Sequence, residues 1–393
     1  MLTQPAITVV ALCTIACTTA TVVAAGQFYG DPPDATHPWA IHDMNRPQPP
    51  LVTPGTFSTP EQPGRPPSDA IILFDGSAAT LNQWEADKPP AEPTKWFVKD
   101  GAMECVPGSG YTRTKEQFGD CQLHVEWASP TVGTGTGQGR GNSGVYLMGG
   151  TEIQVLDNYQ NPTYADGFAG SVYGVNPPYA NALRPTGQWQ VYDIIFRRPI
   201  FKDGQLLDSG RLTVMLNGVV VQDATPLEGG GGHKTRSKDH AFPDKGSLGL
   251  QDHSGRVRYR NIWYRPLPPR AVDGGDMGAM APAAASAKKQ QIAKTIRDDA
   301  ATLQGQAQLL RLMESLCYEQ DAATSEKIQT GVAAWLTAVS QTPAAKLPAQ
   351  KNEIMQMFDA IKYLINFQLL PAGSSALPAL EKIIKDNGWE KKK

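Results

Sequence analysis

Four short stretches of this sequence alternate apolar side chains with side chains that move protons or bind hydroxyls. They are Leu123-His124-Val125-Glu126-Trp127, Glu152-Ile153-Gln154-Val155, Leu248-Gly249-Leu250-Gln251-Asp252-His253 and Arg256-Val257-Arg258-Tyr259-Arg260. In an extended chain successive side chains point to opposite faces. His124 thus shares a face with Glu126, Glu152 with Gln154, Gln251 with His253, and the three arginines with one another. The apolar rows opposite them belong in a core. A solvated sheet face alternates in the same way, but it is usually built from Lys, Thr and Ser. His, Glu, Gln and Arg supply acid, base and amide groups instead. Glu126, Glu152 and His253 are the candidate catalytic residues. His124, Gln154, Gln251 and Arg258 are candidate substrate contacts. Asn142 and Asp157, at strand ends where ligand contacts concentrate, join them, as does Tyr146. The reading requires Glu126, Glu152, Gln154 and His253 to converge on one concavity.

The elements that must position these groups are strands. Short runs rich in Val, Ile, Tyr, Trp and Phe are separated by Gly, Asn, Asp and Pro from Ile71 onward. Strands are predicted at 71–74, 96–99, 102–105, 121–127, 144–148, 151–156, 190–197, 211–216, 219–222, 246–251 and 256–264. Asn217-Gly218 between two of them is a hairpin signal, because both positions tolerate positive φ. Many short strands without intervening helices predict a β-sandwich or barrel.

Around this core the chain changes character. Residues 6–25 are almost wholly apolar and end in Ala24-Ala25-Gly26, which predicts a signal peptide over 1–26 and a secreted or periplasmic protein. A membrane anchor, including a lipoprotein anchored at Cys17, is the alternative; no Lys or Arg precedes Arg46. Residues 27–68 are proline-rich and predict a linker or a strapped-down arm. Residues 269–287 read as a second linker. Residues 288–393 carry apolar stripes at helical spacing and predict a small helical bundle free to bind a protein partner; Lys391-Lys392-Lys393 reads as a solvated tail.

Composition narrows the function. Apolar residues at 40% permit a real core, and a formal net charge of -2 gives no global basic field for nucleic acid. Gly139-Arg140-Gly141-Asn142-Ser143-Gly144 matches a dinucleotide fingerprint, but a strand follows it rather than a helix, so no nucleotide cofactor is expected. Nothing has the spacing of a zinc site, a serine elbow or a zincin. Cys105 and Cys121 are read equally well as a cross-strand pair or as free thiols. The run from Gly229 to Lys238 reads as a loop.

Taken in order, several segments resemble the 3-keto-disaccharide hydrolase domain family over about residues 69–268. They are Phe118 to Trp127, Gly141 to Leu147, Glu152 to Asp157, Gly187 to Asp193, and Leu250-Gln251-Asp252-His253 through to Arg258-Tyr259-Arg260-Asn261-Ile262-Trp263. The resemblance implies a concanavalin A-like jelly-roll sandwich with its site on the concave face, a carbohydrate substrate, and hydrolysis of glycosides already oxidised at C3. That chemistry needs a base for the C2 proton, for which Glu152 or Glu126 is the candidate, a stabiliser for the enolate oxygen, and an acid for the leaving group, with His253 as acid or ligand and Gln154, Arg258 and Asn142 as positioning groups. A divalent metal is one candidate for the stabiliser. Two rival readings are a carbohydrate-binding module without catalysis and an ordinary glycosidase using Glu126 and Glu152.

Overall fold

The computed structural model describes residues 28–148, 150–227, 231–236, 242–371 and 374–390. The signal-peptide reading of 1–26, the lysine tail and part of the 229–238 loop lie outside the described residues. The chain forms two compact units, one of residues 48–281 and one that joins 28–47 to the described residues of 282–390.

The first unit is a two-sheet antiparallel sandwich, as the strand pattern predicted, and of the concanavalin A-like jelly-roll class that the family resemblance implies. In chain order its elements are β1 (Ile71–Phe74), α1 (Ala78–Leu81), β2 (Trp84–Ala86), β3 (Phe97–Lys99), β4 (Ala102–Glu104), β5 (Thr112–Phe118), β6 (Cys121–Ala128), β7 (Ser143–Leu147), β8 (Thr151–Val155) and β9 (Gln190–Arg197). They continue with β10 (Ile200–Lys202), β11 (Gln205–Asp208), β12 (Arg211–Leu216), β13 (Val219–Pro226), β14 (Gly231–Gly232), β15 (Thr235–Arg236), β16 (Gly246–Leu250) and β17 (Arg258–Pro266). The larger sheet has eight strands in the order β13-β12-β9-β6-β17-β4-β3, with β1 also on β17. The smaller sheet has five, in the order β2-β5-β16-β7-β8.

The apolar rows of the two sheets meet in a single core. Leu123, Val125 and Trp127 of β6 face Ile153 and Val155 of β8, Val145 of β7 and Leu248 and Leu250 of β16. Tyr192 crosses the core from β9, and its hydroxyl donates to the Gln154 carbonyl at 2.6 Å. Tyr259 does the same to Ser143 Oγ at 2.7 Å. These two buried phenols find acceptors, as buried phenols must, and so fix one sheet against the other. Asn217 and Gly218 both take positive φ, 53° and 83°, in the β12–β13 turn, as the dipeptide predicted. Cys105 and Cys121 are free buried thiols.

The second unit is helical: α2 (Pro282–Ala300), α3 (Gly305–Ser315), α4 (Ala322–Ser340), α5 (Lys351–Asn366) and α6 (Ala376–Asp386). Ile328, Val332, Ile354, Met357, Ile361 and Leu364, from the predicted stripes, are buried in its core. Residues from the N-terminal stretch complete it: Asn45 bonds Glu314 at 2.6 Å, and Trp39 packs beside Ile292 and Ile296. Among the described residues no helix is long and apolar enough to cross a membrane.

The proline-rich stretch from residue 48 onward is part of the sandwich unit. It folds back on itself, with Thr56 N donating to the Arg65 carbonyl and Ser68 N to the Thr53 carbonyl. Gly64 is required there, since an added Cβ would stand 2.1 Å from the Thr56 carbonyl oxygen. This hairpin-like arm lies on the outer face of the larger sheet.

Candidate active site

The candidate residues divide between two surfaces. His124, Glu126 and Arg258 lie on the outer face of the larger sheet; Glu152, Gln154, Tyr146 and Gln251 lie on that of the smaller. The expected convergence of Glu126 with Glu152 does not occur, because the whole core separates the two rows. Alternation assigns a side chain to a face of its own sheet and says nothing about which sheet the strand joins.

On the larger sheet, Glu126 is fully buried beneath the arm. Its carboxylate accepts from Ser58 Oγ (2.7 Å), Asn261 Nδ2 (2.7 Å) and Arg260 Nε (2.7 Å). Burial alone would raise its pKa; bonds from His124, Asn261, Ser58 and Arg260 outweigh it and hold the carboxyl below its usual range. His124 bonds Asp193 at 2.7 Å through Nδ1 and stacks on Trp263 at 4.9 Å. Burial acts to lower its pKa, yet the two neighbouring acids carry it upward. Arg258 and Arg260 both lie over the Trp189 ring. Ser58 to Glu126, Asn261 to the Gly64 carbonyl and Arg260 to the Thr59 carbonyl tie this cluster to the arm; beside these bonds His124, Asp193, Asn261 and Trp263 line a cavity of about 530 Å³ under the arm. Ser58→Ala removes one charge-assisted bond, expected to cost about 1–2 kcal/mol. The loosened arm should then be cut faster at the exposed Glu61 by a glutamate-specific protease, with no change in carbohydrate turnover. Unaltered cleavage kinetics would show that the cluster does not hold the arm.

On the smaller sheet the residues form a hollow. Tyr146 of β7 lies opposite Glu152 of β8, and Gly144 opposite Gln154. Gly249 of β16 lies on the other side of Tyr146, and Gln251 N donates to the Gly144 carbonyl. Gly144 is therefore the floor, with Gln251 and Gln154 on either side. The Glu152 carboxyl fills the space that a side chain on Gly144 would take: an added Cβ would stand 2.4 Å from Glu152 Oε1. Glu152 is 8% exposed. Burial pushes its pKa up to about 7, against a smaller opposing effect of the bond that the Tyr146 hydroxyl donates to it. The Tyr146 phenol is itself driven upward, first by burial and then by the Glu152 charge.

Amides and phenols complete the hollow. Gln251 Nε2 donates to the hydroxyls of Tyr111 (2.8 Å) and Tyr146 (3.0 Å). Gln154 Nε2 donates to Gln138 Oε1 (2.9 Å), and Asn142 Nδ2 to the Gln138 carbonyl (2.9 Å). Tyr173 sits beside Glu152, its N–H on the Glu152 carbonyl. Its hydroxyl bonds Tyr164 (2.8 Å) and His233 Nδ1 (3.3 Å) at the rim. Asp157 closes the end of β8, where Arg140 Nη2 and Thr186 Oγ1 each donate to its Oδ1 at 3.1 Å and so pin the loop.

His253 is exposed on the loop after β16, and none of the bonds around Glu152 reaches it. The strand ends at Leu250, and the chain turns through Ser254 at φ 63°, so the alternation that paired His253 with Gln251 stops at Gln251. Tyr111 and Gln138 belong to the hollow without having been singled out from sequence. Tyr111 precedes the unpredicted strand β5, whose alternating Thr112 and Thr114 are the signal that could have found it. Gln138 lies in a glycine-rich turn and carries no such signal.

The donors of the hollow do not suit a metal centre. They comprise one carboxyl raised toward neutral pH among amides and phenols, and among the described residues no group of three or more His, Cys, Asp or Glu is placed to hold a metal ion. A hard cation prefers several ionised oxygens, and zinc prefers imidazole or thiolate.

The sandwich is a carbohydrate-active domain by the family and the similar structure that it matches. The chain belongs to the 3-keto-alpha-glucoside-1,2-lyase-like domain family, whose pattern matches residues 69–265. Among solved structures, a candidate glycosyl hydrolase from Parabacteroides distasonis is 41% identical over 58% of this chain and 95% of its own, with a TM-score of 0.52. Two other candidate glycosyl hydrolases from that organism are 20% and 21% identical. They cover 51% and 50% of this chain and 94% and 99% of their own, with TM-scores of 0.36 and 0.37. No curated protein matches the chain.

Proposed function

We propose that this protein cleaves 3-keto-glycosides by elimination and hydration in the hollow on the smaller sheet. The observation that carries the reading is the Glu152 carboxyl, buried over Gly144, bonded to Tyr146 and held near neutral pKa by burial. A general base is most effective when its pKa lies near working pH.

A ketone at C3 acidifies the proton on C2. The Glu152 carboxylate takes that proton, and the C2–H electron pair forms the enolate with negative charge on the C3 oxygen. The enolate then collapses and expels the C1 substituent, which leaves with a proton, giving a C1–C2 alkene conjugated to the ketone. Water adds at C1, and a proton returns to C2. The Tyr111 and Tyr146 hydroxyls accept from Gln251; the Tyr146 O–H is given to Glu152, and the Tyr111 O–H is the one left to donate toward developing negative charge. Tyr146, already in contact with Glu152, is the nearest group to pass a proton between base and leaving group. This assigns to Tyr146 the acid role expected of His253.

The ordinary glycosidase reading with Glu126 and Glu152 is not supported. Its two carboxyls need to stand about 5–9.5 Å apart across one sugar ring, whereas these lie on outer faces of sheets that pack about 10 Å apart.

The test is hydrolysis of a 3-keto-glucoside beside its unoxidised parent, with and without EDTA. Cleavage of the keto sugar alone, unaffected by EDTA, is expected. Loss of activity with EDTA would add a metal, cleavage of both sugars would favour ordinary glycoside hydrolysis, and binding without cleavage would make the domain a carbohydrate-binding module.

A further inference from the structure

Two glutamines flank Gly144, and both spend only their nitrogen on the protein. Gln251 Nε2 is shared between two phenols, and Gln154 Nε2 is held by Gln138 Oε1. Gln138 cannot turn round without loss, because its own Nε2 donates to Thr163 Oγ1 (3.2 Å) and to the Gly167 carbonyl (2.9 Å). Its oxygen is thereby presented to Gln154, which must answer with nitrogen. The consequence is that Gln154 Oε1 and Gln251 Oε1 are both buried with no protein donor among the described residues. Gln154 is 1% exposed and Gln251 8%. A buried acceptor is costly to leave bare, and here two stand on either side of the Glu152 carboxyl, oriented alike by separate sets of partners.

We infer that Gln154 and Gln251 are a hydroxyl-reading pair for a neutral pyranoside, and that Gln138 is a positioning residue that fixes which end of Gln154 faces the sugar. The inference rests on the reading of this hollow as the substrate site. A sugar hydroxyl can donate to a bare carbonyl oxygen; a carboxylate or phosphate cannot, and it would meet the Glu152 charge as well. The pair therefore selects a ring that carries two free hydroxyls beside the reacting carbons. A site built to bond a hydroxyl rejects the analogue that lacks it more strongly than a site built for an apolar group rejects an extra hydroxyl.

The experiment measures kcat and KM for methyl 3-keto-α-D-glucopyranoside and its 2-, 4- and 6-deoxy analogues, with the wild type, Gln154→Met and Gln251→Met. At least one deoxy analogue should lose about 10–100-fold in kcat/KM with the wild type. That same loss should shrink to less than about 3-fold in one of the two variants, because the partner of the missing hydroxyl is already gone. Gln138→Met should raise KM about 5–10-fold with kcat nearly unchanged, the pattern of lost uniform binding; a variant that merely damaged the fold would lower the active fraction and hence kcat. The pair is refuted if the wild type discriminates against no deoxy analogue, or if its losses persist unchanged in both variants. A wild type that neither binds nor cleaves the parent keto-glycoside would remove the pair together with the reading of the hollow, whereas normal cleavage with unchanged deoxy losses would remove the pair alone.

Discussion

Glu152→Gln is expected to lower kcat on a 3-keto-glycoside by about 10²–10⁴-fold while making the protein more stable above pH 7. The first effect follows from the role of the carboxylate: an amide has no lone pair basic enough to take the C2 proton, and positioned acid–base groups contribute about 10²–10⁴-fold. The pH profile carries the same information. The base must be ionised, so wild-type kcat/KM should fall as pH drops below about 7, where burial has placed the Glu152 pKa. Whatever activity the variant retains should lack that limb. The second effect is the linkage counterpart. A carboxyl whose folded pKa is raised favours the neutral form in the folded state. Its contribution is fully present below the unfolded value near 4.5 and is lost as pH rises toward about 7. At pH 8 the wild type holds an ionised buried carboxylate at a cost on the order of 3 kcal/mol, which the neutral amide avoids. The Tm difference between variant and wild type should widen between pH 4.5 and 7 and then level off. An inactive variant without this pH-dependent gain would point to damaged packing, and a fully active one would remove Glu152 as base.

The sequence carried the strand pattern and the side-chain faces well, because both depend on neighbours within a few residues. The strand at 190–197, the Asn217-Gly218 hairpin and the outward rows of His124 with Glu126 and Glu152 with Gln154 all follow from local alternation. What alternation cannot give is sheet membership. β6 pairs with β9 and β17, and β8 with β7. The first two partners lie more than sixty residues along the chain, and only long-range pairing decides that His124 and Glu152 stand on opposite sides of one core. The arm shows the same boundary. Its prolines announce an extended segment, but the landing of Ser58 on Glu126 depends on a bond spanning 68 residues. The hollow was half legible. Glu152, Gln154, Gln251, Tyr146 and Asn142 were named from type and spacing. Tyr111 and Gln138 were not, since one borders a mostly polar strand and the other a turn of glycines.

Gly144→Ala is expected to reduce kcat by about 10²-fold with the fold intact, the second large effect and one that no acid–base assignment by itself would anticipate. Gly144 is an ordinary extended residue, the second of β7, and is absent from the positions of positive φ, so alanine fits its backbone without strain. Alanine also loses less conformational freedom on folding than glycine. The obstacle is local: the new methyl would lie 2.4 Å from Glu152 Oε1 and 3.0 Å from Tyr146 Cε2. Tyr146 is braced by Gln251, so the carboxyl must move. A displacement of about 1 Å at a reacting group costs about 10²-fold in rate. KM should change much less than kcat, because Gln154 and Gln251 keep their own partners. Thermal unfolding within a few degrees of wild type, beside the fall in kcat, would place the defect in the position of the carboxyl. Wild-type turnover by Gly144→Ala would mean that the chemistry does not depend on a carboxyl seated over this glycine. The reaction would then have to be sought elsewhere on the smaller sheet, first at the rim where Tyr173, Tyr164 and His233 meet.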